Sequence, residues 1–129
     1  MTTGAWLLLI PFAVLLIFLF RAATMQVSPF PTIVVPSGDP LQAPQAIASY
    51  GCGSCHTVLG IIGADGKAGP SLNGLGDQMY IAGKIVNTPE NLIYFIRFPQ
   101  EVSPGIGMPD TGITDAAARD IAAYLYTLK

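Results

Sequence analysis

The chain opens on an unbroken apolar block. Ala5 to Phe20 reads AWLLLIPFAVLLIFLF and carries no charge. As a helix it would be roughly 24 Å long, against a bilayer hydrocarbon core of about 30 Å. Uncharged residues extend it on both sides, Thr2 to Gly4 and Ala22 to Ala23. Arg21 can snorkel to the interface, and Pro11 is a candidate kink. The pattern predicts one transmembrane helix over residues 1–23. A cleaved signal peptide fits less well, because there is no basic n-region and no small-x-small cleavage site. The pattern then changes to prolines: Pro29, Pro31, Pro36 and Pro40 predict an extended, semi-rigid linker over residues 24–39, at about 3.1 Å per residue. Its apolar residues Phe30, Ile33, Val34 and Val35 do not suit a free tether, so the linker is expected to lie against a partner subunit.

Residues 40–129 read as a small all-α domain of three to five helices. Asp39 is placed to cap a helix over Pro40 to Gly51. Thr88 caps a second, with Pro89 at its first position, and that helix should stop before Pro99. Thr114 caps a third, with Asp115 at the positive end of its dipole. Along it Ala118, Ile121, Leu125 and Leu128 fall on one face. Thr57 to Gly76 is Gly-rich loop, and no strand pattern appears. A domain this short has little core of its own, and a buried prosthetic group would help to fill it.

Charge narrows the function classes. Six basic and eight acidic residues leave a net charge of −2. Lys67, Lys84, Arg97, Arg119 and Lys129 are scattered, so no nucleic-acid footprint exists. The decisive residues are the only two cysteines and the only histidine, which are adjacent: Cys52-Gly53-Ser54-Cys55-His56. C-x-x-C-H is the attachment pattern of c-type haem. Two thiols three positions apart reach the two vinyl groups on one porphyrin edge, and the next residue offers its imidazole to the iron as proximal ligand. A thioredoxin-like pair would need a βαβ context, and a zinc site would need four ligands where three Cys and His exist. An electron carrier also needs a second axial ligand. Met108 is the candidate, in the loop Pro104-Gly105-Ile106-Gly107-Met108-Pro109-Asp110, stiffened by Pro and freed by Gly. Met79 reads instead as a core gap-filler.

With these motifs in place, residues 40–128 resemble a class I cytochrome c domain. Ala46-x-x-x-Tyr50-x-Cys52 is similar to the family's first helix, whose small and aromatic residues pack on the last helix. Gly69-Pro70-Ser71-Leu72 resembles its proline turn, and implies that the Pro70 carbonyl accepts the proton of the ligating His56 imidazole. Asn87-Thr88-Pro89-Glu90-Asn91-Leu92, Gly107-Met108-Pro109 and Ile121-Ala122-Ala123-Tyr124-Leu125 follow in family order. The resemblance is nearest to cytochrome c domains of respiratory complexes, such as oxidase subunit II and the monohaem subunit of alternative complex III. Two departures stand out. Phe95 and Gln78 occupy positions where relatives often carry Trp and Arg for the haem propionates; Phe95 has no donor, and Gln78 donates without charge. Asn87, Tyr94 and Arg97 are the expected substitutes.

The resemblance implies one covalent haem c, one-electron transfer, and no catalytic activity of the chain's own. It implies a single-pass protein of a bacterial cytoplasmic membrane, N-terminus in the cytoplasm and haem domain on the periplasmic side. The expected partners are a quinol-oxidising complex, a terminal oxidase or a soluble carrier, in a respiratory or photosynthetic chain. The apolar loop Val58 to Ile62, beside the cysteine edge, is the expected contact rim. A free membrane-tethered shuttle is the alternative; an open-haem peroxidase or gas sensor would require that Met108 not bind iron.

Overall fold

Proline and threonine set the helix starts between residues 33 and 128. Helix α1, Ala43–Ser49, has a proline in its first turn. Helix α2, Pro89–Arg97, begins on proline behind Thr88, whose hydroxyl accepts the Asn91 N–H at 3.2 Å. Helix α3, Pro99–Val102, follows at once. Helix α4, Asp115–Leu125, is capped by the Thr114 hydroxyl, which accepts the Ala117 N–H at 3.2 Å. Each cap satisfies a backbone donor that the helix itself cannot. This computed structural model describes residues 13–19 and 33–128.

Helices α1 and α2 both pack against α4. The expected face of α4 is the buried one: Ala118 has no exposed surface, and Ile121, Leu125 and Leu128 are 8% exposed or less. Ala43 and Ile47 meet it from α1, and Leu92, Ile93, Phe95 and Ile96 from α2. Tyr50 lies partly buried at the end of α1, and its hydroxyl accepts the Thr114 N–H at 3.4 Å. Arg97 on α2 and Arg119 on α4 share the Asp115 carboxylate, at 2.9 and 2.5 Å.

The structure corrects the sequence reading at several points. The first helix starts at Ala43, not Pro40. Asp39 heads a separate turn, accepting the Leu41 N–H on its side chain and the Gln42 N–H on its carbonyl. A hairpin exists where no strand was expected: β1 (Tyr80–Ile81) pairs antiparallel with β2 (Ile85–Val86). Strands of two residues are too short to show alternation. What makes the hairpin is its turn, where Ala82 and Gly83 both adopt positive φ, 49° and 65°, the I′ geometry that suits strand twist.

The linker reading also changes. The compact unit runs Thr32–Lys129, earlier than the boundary expected at residue 40. Val35 is 5% exposed and belongs to the core. Downstream of it the chain is strapped to α4. Arg119 donates to the Pro36 carbonyl at 3.3 Å, and the Asp39 N–H donates to the Asp120 carboxylate at 2.7 Å. A Cβ on Gly38 would stand 2.5 Å from the Arg119 carbonyl oxygen, so only glycine lets the strap lie this close. Val34 remains 74% exposed. The expected membrane-spanning segment falls mostly outside the described residues. Residues 13–19 are helical, with Val14 to Leu19 more than half exposed. Among the described residues no helix is long and apolar enough to cross a membrane.

Asp115 carries a pH-dependent prediction. The hydrogen bond from Arg119, with the charges of both arginines, holds its carboxyl below the ordinary carboxylate value. A depressed folded pKa stabilises above the unfolded value, about 3.9, and that stability is lost as pH falls through the folded one. Asp115→Asn should therefore lower the denaturant midpoint at pH 7, and the deficit should close below about pH 4. Urea titrations at the two pH values decide it; an equal deficit at both would place the loss elsewhere.

Candidate functional site

The motif Cys52 to His56 folds as a tight turn. Gly51 takes a positive φ of 70° at the end of α1, and Cys52–Ser54 form one 3-10 turn. The His56 N–H then bonds back to the Cys52 carbonyl at 3.0 Å. The cysteines and the histidine are thus presented from one tight turn. Cys55 is exposed and Cys52 partly buried. In the chain before attachment, burial pushes the Cys52 thiol pKa up.

The loop that returns past this turn fixes the imidazole. The Gly69 N–H bonds to the Cys55 carbonyl at 2.8 Å, and the Leu72 N–H to the Thr57 carbonyl at 3.0 Å. Between these ties the Pro70 carbonyl stands 2.7 Å from His56 Nδ1. A carbonyl only accepts, so Nδ1 carries the proton and Nε2 of the neutral ring keeps a free lone pair. Gly69 lies flat against the ring: a Cβ there would fall 2.5 Å from Cε1 and 2.7 Å from Nδ1.

His56 and Cys52 line one cleft with Met108. The empty space between its walls, counted out to open solvent at the mouth, is about 900 Å³. The back wall is Ile47 from α1, Leu92, Phe95 and Ile96 from α2, and Ile121 and Leu125 from α4. Leu72, Leu75 and Ile81 complete the apolar lining, and Pro70, Gln78 and Tyr80 also border it. Among the described residues no Lys, Arg, Asp or Glu lines it. An imidazole nitrogen and a thioether sulfur on the walls of one apolar slot, with the Cys52 thiol lining it and Cys55 exposed three residues on, fit a flat iron macrocycle held covalently. The Met108 loop has the expected chemistry: Ser103 to Ile106 form a turn closed at 3.1 Å, with Pro104 and then Gly105 at φ 81°, a type II arrangement.

Phe95 and Pro70 are brought to the cleft as expected, whereas Asn87, Tyr94 and Arg97 are not among its lining residues. Their polar groups are engaged elsewhere. Asn87 donates to the carbonyls of Leu75 and Gln78 at 2.7 and 2.9 Å and accepts from the Tyr126 hydroxyl at 2.7 Å. Burial pushes the Tyr126 pKa up to about 12, so it remains the donor of that bond at neutral pH. Tyr94, 44% exposed, donates to Glu101, which raises its pKa. Arg97 pairs with Asp115 and stacks on Phe98, 4.8 Å from the ring centroid. Besides His56, the polar side chains that do border the cleft are Ser71, next to Pro70, Gln78, one of the two departures, and Tyr80, which sequence reasoning missed because nothing local marks the hairpin that carries it. Met79 is 77% exposed and fills no core gap; it precedes β1, where Ile81 takes the inward position. In the expected contact rim, Val58 is buried at 2%, while Leu59 and Ile62 stand out at 60% and fully exposed.

Residues 42–129 match the family model Cytochrome c. The chain is 36% identical over 107 residues to a cytochrome c2 of Rhodopila globiformis, covering 73% of this chain and 97% of that protein. It is 37% identical over 91 residues to a cytochrome c oxidase subunit 2 of Alkalihalophilus pseudofirmus. A cytochrome c oxidase subunit 2 of Bacillus sp. PS3 is 34% identical over 89 residues. These two alignments cover 68% and 66% of this chain but only a quarter of either subunit. No solved structure gives a match.

The flat contact of Gly69 with the imidazole makes a methyl there an overpacking change. Gly69→Ala should displace the ring from the Pro70 carbonyl and cost about 1–3 kcal/mol. The shift of the denaturant midpoint at constant slope measures it, and an unmoved midpoint would show that the ring has room.

Proposed function

Because the chain belongs to the cytochrome c family and binds one c-type haem through Cys52 and Cys55, we propose that His56 and Met108 are its two axial ligands. We further propose that it works as a membrane-anchored electron-transfer subunit. When bound, the haem supplies an iron that gains and loses one electron. The chain's residues do the rest. His56 offers Nε2 in a tautomer fixed by Pro70. Met108 would supply the second ligand and so deny that position to gases and peroxide. Met/His ligation raises the potential, and the apolar, charge-free walls act in the same direction by disfavouring the extra positive charge of the oxidised state. Ser71, Gln78 and Tyr80 are the polar side chains on the cleft available to the propionates.

The observation that carries this reading is His56 and Met108 on the walls of one cleft. In it, residues 1–23 span a bacterial cytoplasmic membrane, with the N-terminus in the cytoplasm and the haem domain on the periplasmic side. The apolar block Ala5 to Phe20 and the likeness to two oxidase subunits support this reading. The partners are a quinol-oxidising complex, a terminal oxidase or a soluble carrier. Leu59 and Ile62, exposed beside the cysteine motif, form the rim they meet. A membrane-tethered shuttle is the second reading, favoured by the match across nearly the whole of a cytochrome c2.

Two experiments test these points. The reduced wild-type protein is expected to resist carbon monoxide, and Met108→Ala to bind it readily; equal binding by both would remove Met108 from the iron. Extraction of native membranes in mild detergent, with haem staining and mass spectrometry, is expected to recover the chain in fixed ratio with a quinol-oxidising complex or oxidase. That association should persist in added salt, as an apolar contact does. Recovery of the haem-positive chain alone would make it the shuttle.

A further inference from the structure

We infer that Gln100 is a positioning residue for Met108: its carboxamide braces the ligand loop and holds the thioether at the cleft. The inference rests on the reading of Met108 as an iron ligand. Gln100 sits on α3, directly after Pro99, which is almost completely buried. It is therefore anchored to the end of α2, whose Phe95 and Ile96 wall the cleft. Its Nε2 donates to the carbonyls of Ile106 and Met108, both at 2.7 Å. Its Oε1 accepts the Gly105 N–H at 3.0 Å. Both donors and the acceptor of one side chain are thus spent on the same loop. The partners also fix which way the amide points, since a flip would set its oxygen against two carbonyls.

Apolar contacts seat Ile106, Met108 and Ile113 against the core, but few other hydrogen bonds hold the loop. Past the turn closed by Ile106, residues 107–113 make no backbone–backbone hydrogen bond among the described residues. Gly105 and Gly107 lie on either side of Ile106, just before Met108, leaving the approach to the ligand backbone flexible. Apart from a 3.4 Å contact between the Gln100 N–H and the Asp110 carboxylate, the tie next to Met108 is the Gln100 carboxamide. Without it, Met108 leaves the iron more often, and the open fraction should rise about tenfold for the loss of one to two net hydrogen bonds.

The test uses the full-length haem-loaded protein with Gln100→Met, which keeps length and removes every polar atom. Gln100→Glu removes both donors but keeps the acceptor for Gly105. Gln45→Met, an exposed glutamine on α1, is the control. The readouts are carbon monoxide binding by the reduced protein, the long-wavelength absorption of the methionine–ferric bond, and the denaturant midpoint. The expected result is about tenfold faster carbon monoxide binding in both Gln100 variants, with a weakened methionine band and an unchanged control. Wild-type rates and bands in the variants overturn the brace, as does a fall in midpoint with no change in ligand binding, which marks a merely structural role. Should Gln100→Met yield no holoprotein, Gln100→Glu carries the comparison. A wild type that binds carbon monoxide as fast as Met108→Ala instead overturns the ligand reading itself, and the brace with it.

Discussion

Helix α4 is the surface on which helices α1 and α2 come together. It meets α1 through side chains with no exposed surface, Ala43 on one helix and Ala118 on the other. Small side chains let helix backbones approach closely, and the larger Ile47, Ile121 and Leu125 then pack beside them. These three residues also face the cleft. One packing arrangement therefore serves two ends: it is the hydrophobic core of a short chain, and it is the back wall of the cofactor site. A bulky residue at either alanine would act on both at once, because close-packed interiors pass on strain.

Polar groups frame this apolar slot with little redundancy. Pro70 holds His56, Asn87 ties the Leu75–Gln78 wall to Tyr126, and Gln100 holds the loop of Met108. In each case a side chain or a carbonyl secures a loop that has no regular structure of its own. Net contributions of single hydrogen bonds are small, about 1 kcal/mol. Their value here is geometric: each selects one position for a group that the cofactor needs.

Much of the site was legible in the sequence because its chemistry is local. The spacing of Cys52, Cys55 and His56 is a property of one turn, and the Pro-Gly chemistry before Met108 is a property of another. The caps at Thr88 and Thr114 and the buried face of α4 followed from side-chain type and period. What failed depended on tertiary placement. Asn87, Tyr94 and Arg97 have suitable donors, but these are taken up by groups on other elements, the Leu75 and Gln78 carbonyls, Glu101 and Asp115. The hairpin was hidden because two-residue strands leave no periodic trace. Val35 looked like linker because prolines surround it; only its contact with the core shows that it belongs to the domain. Gln100 gave no signal, since its meaning lies in three backbone groups of a loop.

The strap ahead of α1 has a consequence for the order of events in the cell. It is held by Arg119 and Asp120, and α4, which carries them, also supplies Ile121 and Leu125 to the cleft. During synthesis the Cys52–His56 motif emerges well before α4 exists. A growing chain thus displays its two thiols and its imidazole before there is a pocket to receive anything. Whatever machinery joins the prosthetic group to those thiols meets either an open, unfinished chain or a completed one, and the gap in time between motif and wall sets the window for the first.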